Sequence, residues 1–331
     1  MPARAISEIF LVNGSAGDPV LFIDYPGKHN ALLFDAGDNC RLDTKRLSDL
    51  EAIFVTHHHV DHFVGLDRII RANLGEKKTL HLYGPPDTIE KVYSRLKGYD
   101  YPDFSFQQCR VKVHDVWPGK LRWAELHCRN PCPPPAVQER RWKGPVLYEN
   151  KELRVETVPV DHTVPCLAYA LVEKRGYHPD PAKLQEGVLK AGRWIGAVLD
   201  RLRAGESLKS TIEIAGGTYT LGALAEQYFT TTPGGRIAFV TDTAWSEQSR
   251  PGLTKLAHRA HRLYCDSFYA KGQERQAEKY RHMTATAAAE LAREAKVEEL
   301  ILMHFAPRYA GKYDMLIEEA RTVFPKVRAE W

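Results

Sequence analysis

An α/β fold is predicted by three features of the sequence. Apolar runs of strand length alternate along the chain with amphipathic stretches of helical period. Residues 54–66, FVTHHHVDHFVGL, crowd four histidines and an aspartate into six positions directly behind the apolar run AIFV. Two later apolar runs, RIAFVTDTAW and EELILMHFAPRY, each lead into a residue able to bind a metal.

The elements follow in order. IFLV, VLFID and NALLFDAG read as strands with turn residues between them, and LEAIFVT as a fourth. DHFVGLDRIIRANL carries apolar residues at helical spacing, so the histidine cluster falls on a loop leading from strand to helix. TLHLYG repeats the strand, and PPDTIEKVYSRLKG is a helix opened by prolines. Residues 128–145, CRNPCPPPAVQERRWKGP, read as a Pro-rich, charged loop. ELRVETVPVDHTVPCLAYALVEK returns to strands, and PAKLQEGVLKAGRWIGAVLDRLRAGE is a helical, basic insert. The expected organisation is one domain over 1–331 with an arm-like insert at about 173–233.

Composition narrows the class. A chain of 331 residues with 44% hydrophobic residues can bury a sizeable core and matches a soluble globular protein. The start, MPARAISEIFLVNG, lacks the apolar stretch of a signal peptide, and no run approaches the roughly 20 apolar residues of a membrane helix. A cytoplasmic protein without a membrane partner is expected. Cys40, Cys109, Cys128, Cys132, Cys166 and Cys265 follow no repeating framework, which predicts reduced thiols. The net charge of +4 permits a nucleic-acid partner without requiring one.

A structural histidine needs one partner, so packing does not explain the cluster at 57–62. In an extended loop alternate side chains share a face, which lets His57 and His59 address one ion while His58 points away. Asp61 and His62, after the chain turns, can address a second. Zinc accepts imidazole nitrogen and carboxylate oxygen at about 2.0–2.2 Å and leaves a position for water in catalytic sites. Two ions about 3.5–4 Å apart can clamp a phosphoryl group. The further ligands this requires are offered at strand ends by His162 in VDHTVP, Asp242 in VTDTAW and His304 in LMHFAP.

The series His57-x-His59-x-Asp61-His62 followed by GL, then His162, Asp242 and His304 in that order, resembles the metallo-β-lactamase superfamily. With HMTATAAAELAREAKVEELILMHFAPRY, it is most similar to the ribonuclease Z branch, endonucleases that trim tRNA 3′ trailers. Together with LYGPPDTIEKV, DHTVPCLAYAL and FVTDT, the resembling pieces run from about residue 30 to 312. The resemblance implies an αββα sandwich and two Zn²⁺ per chain, with Mn²⁺ or Fe²⁺ as alternatives. One ion would take His57, His59 and His162, the other Asp61, His62 and His304, with Asp242 bridging. It also implies hydrolysis of RNA phosphodiesters by a metal-bridging hydroxide, with Asp61, His282 and Asp266 as the catalytic groups. His282, in RHMTA, would stand near the leaving-group oxygen. Asp266, in CDSF, stands where the family has a glutamate supporting that histidine.

Several pieces depart from the family pattern. Gly-Glu-Gly-Thr is replaced by GDNC at 37–40, and His-Glu-Ala-Thr by CDSF at 265–268. The Pro-x-x-x-Arg-Asn loop that contacts tRNA is replaced by GDPVLFIDYPGKHN, and the insert lacks its Gly-Pro element. RNA, and tRNA in particular, is the expected substrate. A second expectation keeps the metal centre and changes the substrate to a small phosphodiester, cyclic nucleotide, sulfate ester or lactam. A third, a non-catalytic RNA-binding relative, gives no reason to hold all seven ligands. A pairing of two chains stays open.

Blander roles compete at individual residues. His58 reads as a spectator, and Asp35 in LLFDAGD as either a turn residue or a carboxylate orienting a ligand histidine. His282 is either a proton donor or a helix cap. His127, Cys128 and Cys132 in HCRNPC lack a partner pair at zinc-finger spacing and read as ordinary loop. KLAHRAHRL at 255–263, with Arg193, Arg201 and Arg203, is either a phosphate-contacting surface or a solvated helix face. Trp194 either stacks on a base or packs the arm against itself.

Overall fold

A computed structural model describes residues 6–25, 30–101, 109–129 and 132–331. They fall into two compact units, one of 6–147, 156–170 and 236–331, the other of 148–155 and 171–235. Residues 26–29 of the stretch that replaces the tRNA-contacting loop, and 130–131 of HCRNPC, lie outside the described residues.

The chain opens with β1 (Glu8–Leu11), β2 (Leu21–Asp24), β3 (Ala31–Phe34), α1 (Thr44–Ser48), β4 (Leu50–Phe54), α2 (Val60–Phe63), α3 (Leu66–Asn73), β5 (Thr79–Gly84) and α4 (Thr88–Lys97). It continues through β6 (Arg110–Trp117), β7 (Lys120–His127) and β8 (Gln138–Arg141). These eight strands form one sheet in chain order. β3 to β6 run parallel and both margins antiparallel. The ALLF of β3 is buried at every position, as a parallel strand covered on both faces requires. On one face Leu82, Val111 and Val113 meet Ile69 and Ile70 of α3 and Val92 and Leu96 of α4.

Next come β9 (Val146–Glu149), β10 (Leu153–Val160) and β11 (Cys166–Glu173), then β12 (Gly176–Pro179), α5 (Pro181–Glu186), α6 (Trp194–Arg203), β13 (Thr211–Ile214), β14 (Gly217–Thr220), α7 (Leu221–Tyr228) and β15 (Phe229–Thr232). The chain ends with β16 (Arg236–Val240), α8 (Arg250–Leu256), β17 (Arg262–Asp266), α9 (Glu274–Tyr280), α10 (Ala285–Ala295), β18 (Leu300–Met303), α11 (Tyr313–Arg321) and β19 (Val327–Arg328). The second sheet has the order β19-β18-β17-β16-β11-β10-β9. Leu253 of α8, the alanine face of α10 and Leu316 and Ala320 of α11 bury against it, the small side chains letting α10 lie close to β17 and β18. Between the sheets Phe34 and Phe54 stack at 5.0 Å and both meet Tyr169, whose hydroxyl donates to the Val55 carbonyl at 2.7 Å. The layers of the larger unit are therefore helix, sheet, sheet, helix, the αββα sandwich that the resemblance implies.

Three local readings change. The Pro-rich segment 128–145 contains β8, which pairs with β7 although all four of its residues are exposed. A charged edge strand has no apolar alternation to betray it, and its charges discourage further pairing. KLAHRAHRL is not a helix face, because α8 stops at Leu256 and β17 starts at Arg262. Asp87, at φ 73, separates the two prolines from α4, which begins at Thr88. The β6–β7 hairpin, turning at Gly119 with φ 76, has no place in the sequence reading.

The smaller unit has its own core of Val198, Leu202, Leu221, Leu224, Tyr228 and Phe229. Besides α5 to α7 it carries two antiparallel pairs, β12–β15 and β13–β14, too short and polar to stand out by period. Trp194 lies edge-on to Tyr228 at 5.1 Å and donates its Nε1–H to the Lys190 carbonyl, so it packs within this unit. Among the described residues no helix is long and apolar enough to cross a membrane.

Two glycines bring the loop after β3 against the loop after β4. Gly65 N–H donates to the Ala36 carbonyl, and Ala36 N–H to that of His62. A Cβ on Gly37 would overlap the Asp61 carbonyl oxygen, and one on Gly65 the Gly37 carbonyl oxygen. Gly65→Ala is expected to lower the unfolding free energy by about 1–3 kcal/mol in a urea titration, because two backbone segments must separate. A parental midpoint and slope would show that the loops yield without cost.

Candidate metal centre

Most of the candidate side chains stand just beyond a strand end, with Asp61 and His62 inside α2 and His282 between α9 and α10. Asp35 follows β3, the histidine loop follows β4, His162 follows β10, Asp242 follows β16, Asp266 closes β17 and His304 follows β18. Asp35, Asp242 and His304 have positive φ, at 59°, 34° and 58°. Aspartate and histidine enter that region more readily than most residues, and such backbone persists where its surroundings enforce it.

Asp242 lies at the middle, 2% exposed. Its Oδ2 faces His57 Nε2 at 3.6 Å and His162 Nε2 at 3.7 Å. Its Oδ1 faces His62 Nε2 at 3.4 Å and His304 Nδ1 at 2.9 Å. His59 Nδ1 lies 3.5 Å from His162 Nε2, and Asp61 Oδ2 lies 3.3 Å from His304 Nε2 and 3.5 Å from His62 Nε2. All seven predicted ligands thus converge. With Asp266 and His282, their donor atoms fall into three overlapping groups able to hold a cation: His57, His59, His162 and Asp242; Asp61, His62 and His304; and Asp242, Asp266, His282 and His304.

The chemistry of this set fits metal ions. His57 Nε2, His62 Nε2, His304 Nδ1 and Asp242 Oδ1 are buried and make no hydrogen bond of acceptable geometry. Four such atoms pointing at one another would be costly unless positive charge lies among them. The titration behaviour agrees. Burial pulls His57 down to about 2, leaving its imidazole neutral. Burial also opposes charge on His62, but the Asp242 and Asp35 carboxylates outweigh it and push the group up to about 10. Asp61 is held down to about 2, burial being outweighed by its bond to His304 and the charge of His62. The carboxylates therefore demand cations, and metal can take the place of protons.

The ligands are oriented from behind. Asp35, wholly buried, accepts from Thr56 N–H at 2.6 Å, from the Thr56 hydroxyl, and from His62 Nδ1–H at 2.8 Å. That bond sets the tautomer that turns the His62 Nε2 lone pair toward Asp242. Asp35 is thus the orienting carboxylate rather than a turn residue. His162 Nδ1–H donates to the Arg281 carbonyl at 3.0 Å, and Arg281 is tied to Asp161 at 2.8 Å. His58 turns away and bonds the Thr88 hydroxyl at 2.9 Å, pinning the loop to the start of α4. Thr56 and the Arg281 carbonyl have no signature in the sequence, since a threonine and a peptide oxygen gain these roles only through placement.

His282 Nδ1 donates to Asp266 Oδ2 at 3.0 Å, and its Nε2 lies 3.9 Å from Asp242 Oδ2. Asp266 is fully buried and also accepts from Met283 N–H. Burial opposes charge on His282, but Asp266 outweighs it and the imidazole titrates above its ordinary value. The cap of α10 is Thr284, whose hydroxyl accepts from Ala287 N–H, so His282 does not cap that helix. His127 faces Glu125 at 3.5 Å, and no group able to hold a metal among the described residues includes it, Cys128 or Cys132.

Residues 30–200 match the model of the beta-lactamase superfamily domain. The chain belongs to this superfamily. Similar relatives are the ribonuclease Z of Deinococcus radiodurans, 29% identical over 90% of this chain and 89% of that one, and the ribonuclease Z of Treponema pallidum, 27% identical over 88% and 83%. Among solved structures, a metallo-beta-lactamase fold protein of Bacillus subtilis aligns with a TM-score of 0.57, 16% identity and coverage of 96% of this chain and 93% of the other. The short form of human tRNase Z aligns at 0.53, with 16% identity over 90% and 92%. These two structural likenesses speak to fold. Membership of the superfamily, with the histidine and aspartate clusters, implies metal cofactors.

Because both Asp242 oxygens face imidazole nitrogens of this cluster, Asp242→Ala is expected to remove at least as much bound divalent metal as His59→Ala. Metal-to-protein ratios by elemental analysis decide it. A full metal complement in Asp242→Ala would show that the carboxylate is not shared.

Proposed function

We propose that this chain is a dinuclear metal phosphodiesterase of the ribonuclease Z type, acting on RNA and specifically on the 3′ trailers of precursor tRNA. The observation that supports it is the two-sided Asp242 carboxylate, with one set of imidazoles on each oxygen, in a chain similar to ribonucleases Z over about nine-tenths of its length. We assign His57, His59 and His162 to one ion, Asp61, His62 and His304 to the other, and Asp242 to both. Zinc suits this mixture of imidazole and carboxylate, with Mn²⁺ or Fe²⁺ as alternatives. When bound, such ions supply Lewis acidity toward phosphoryl oxygens and lower the pKa of water.

The remaining work falls to the chain. As the oxygen of a water that has lost a proton to solvent joins phosphorus, the bond from phosphorus to the leaving ribose oxygen breaks, and His282 gives that oxygen its Nε2 proton. Asp266, holding Nδ1–H, favours the charged imidazole and its direction. We read residues 173–233 as an arm of one domain, whose exposed Arg193 and Arg203 meet RNA phosphates. Arg201 is instead engaged with Glu206 at 2.7 Å.

Metal-loaded protein is expected to cleave precursor tRNA at the trailer, with binding that weakens steeply as salt rises. Hydrolysis of bis(p-nitrophenyl) phosphate with precursor tRNA untouched would favour the small-ester reading. His282→Ala is expected to keep its metal and lose roughly 10²- to 10⁴-fold in turnover on RNA. The loss should be smaller on the p-nitrophenyl ester, whose leaving group needs little protonation. Equal losses on both substrates would remove His282 from the proton-donor role.

A further inference from the structure

Phe268 has no part in metal binding, yet its ring lies against the centre. It follows Asp266 and Ser267 at the end of β17, and its N–H donates to Asp266 Oδ1 at 3.0 Å. Ser267 fixes the same turn, its N–H and hydroxyl both donating to the Met303 carbonyl at 3.0 Å. The phenyl ring stacks on the His282 imidazole with centroids 4.4 Å apart and planes 20° apart, and it reaches His304 at 5.2 Å. Tyr269 adds an edge-on contact to His282 at 6.2 Å.

The stack supplies a restraint that the hydrogen bond lacks. The torsion that turns an imidazole plane is broad, with two wide wells instead of three sharp ones. The bond from Nδ1–H to Asp266 fixes where that nitrogen points but tolerates rocking of the ring. A flat ring over one imidazole face removes the rocking, and an offset stack favours this arrangement. Asp266 organises both parts, accepting from His282 through Oδ2 and from the Phe268 backbone through Oδ1.

We infer that Phe268 is a positioning residue for His282: its stacked ring holds the imidazole plane so that Nε2 stays beside Asp242, where the leaving oxygen must receive its proton. The inference rests on the proton-donor reading of His282 given above. Ring and carboxylate then divide the task, one setting the plane and the other the direction. Small misplacements of a proton donor are costly, because catalysis depends on near-attack geometry.

The test compares Phe268→Leu with Phe268→Tyr, each metal-loaded and checked for the parental metal ratio and melting temperature. Leucine keeps apolar bulk and loses the flat face, whereas tyrosine keeps the face. Phe268→Leu is expected to lower kcat on precursor tRNA by roughly tenfold or more with KM little changed, and to lower it less on bis(p-nitrophenyl) phosphate. Phe268→Tyr should restore most of the turnover. In a His282→Ala background Phe268→Leu should add nothing to the difference between substrates, since the residue acts through the imidazole. If Phe268→Leu raises KM for RNA and leaves kcat alone, Phe268 contacts substrate and the inference is overturned. Equal losses on both substrates, or failure of tyrosine to rescue, overturn it as well. Should His282→Ala distinguish the substrates while Phe268→Leu does not, only the positioning role fails. If His282→Ala itself does not distinguish them, the proton-donor reading fails and takes this inference with it. A Phe268→Leu chain that loses metal is replaced by Phe268→Met, which keeps volume without a ring, under the same criteria.

Discussion

The carboxylate of Asp242 sets the terms for everything around it. It is almost wholly inside the protein, at the end of a parallel strand, where an uncompensated negative charge is strongly disfavoured. Imidazole nitrogens surround both oxygens, and several have no hydrogen-bond partner of their own. Neutral imidazoles alone do not offset buried carboxylates, and protonated ones repel each other. Metal cations would satisfy the nitrogens and the oxygens together, which fits a polar cluster of this kind at the end of a packed sheet.

A cluster of this kind works only if its rings cannot turn. Three of these histidines have a partner at the second nitrogen: Thr56 for His57, Asp35 for His62, and the Arg281 carbonyl for His162. Those partners are themselves held. Asp35 accepts from the Thr56 backbone, and Arg281 is tied to Asp161. The left-handed backbone at Asp35, Asp242 and His304 belongs to the same economy of design, because it lets the strand end and the functional residue coincide. The Asp35 loop and the histidine loop touch backbone to backbone at Gly37 and Gly65.

His282 is held from the opposite side, by the end of β17. Asp266 is shorter than the glutamate at the matching place in the resembling family, yet it reaches His282, because its own strand ends beside that ring. The same carboxylate holds the turn that lays Phe268 on His282.

The sequence by itself singled out a candidate donor set that the fold brings together. His57, His59, Asp61, His62, His162, Asp242 and His304 were legible as candidates because histidine and carboxylate suit metal binding, and because each follows an apolar strand whose period is visible locally. The alternation by itself gave only an α/β class, and the αββα layering came from the resemblance of the motifs. Tertiary structure alone decided which nitrogen of each ring faces inward, that Asp35 orients His62, and that Thr284 rather than His282 caps α10. It also decided that a charged stretch pairs as β8, that polar segments pair as β13 and β14, and that an aromatic ring covers His282. The reason is physical. Ligand identity and strand period are properties of neighbouring residues, whereas ring orientation, edge pairing and stacking arise between residues distant in the chain and leave no periodic trace along it.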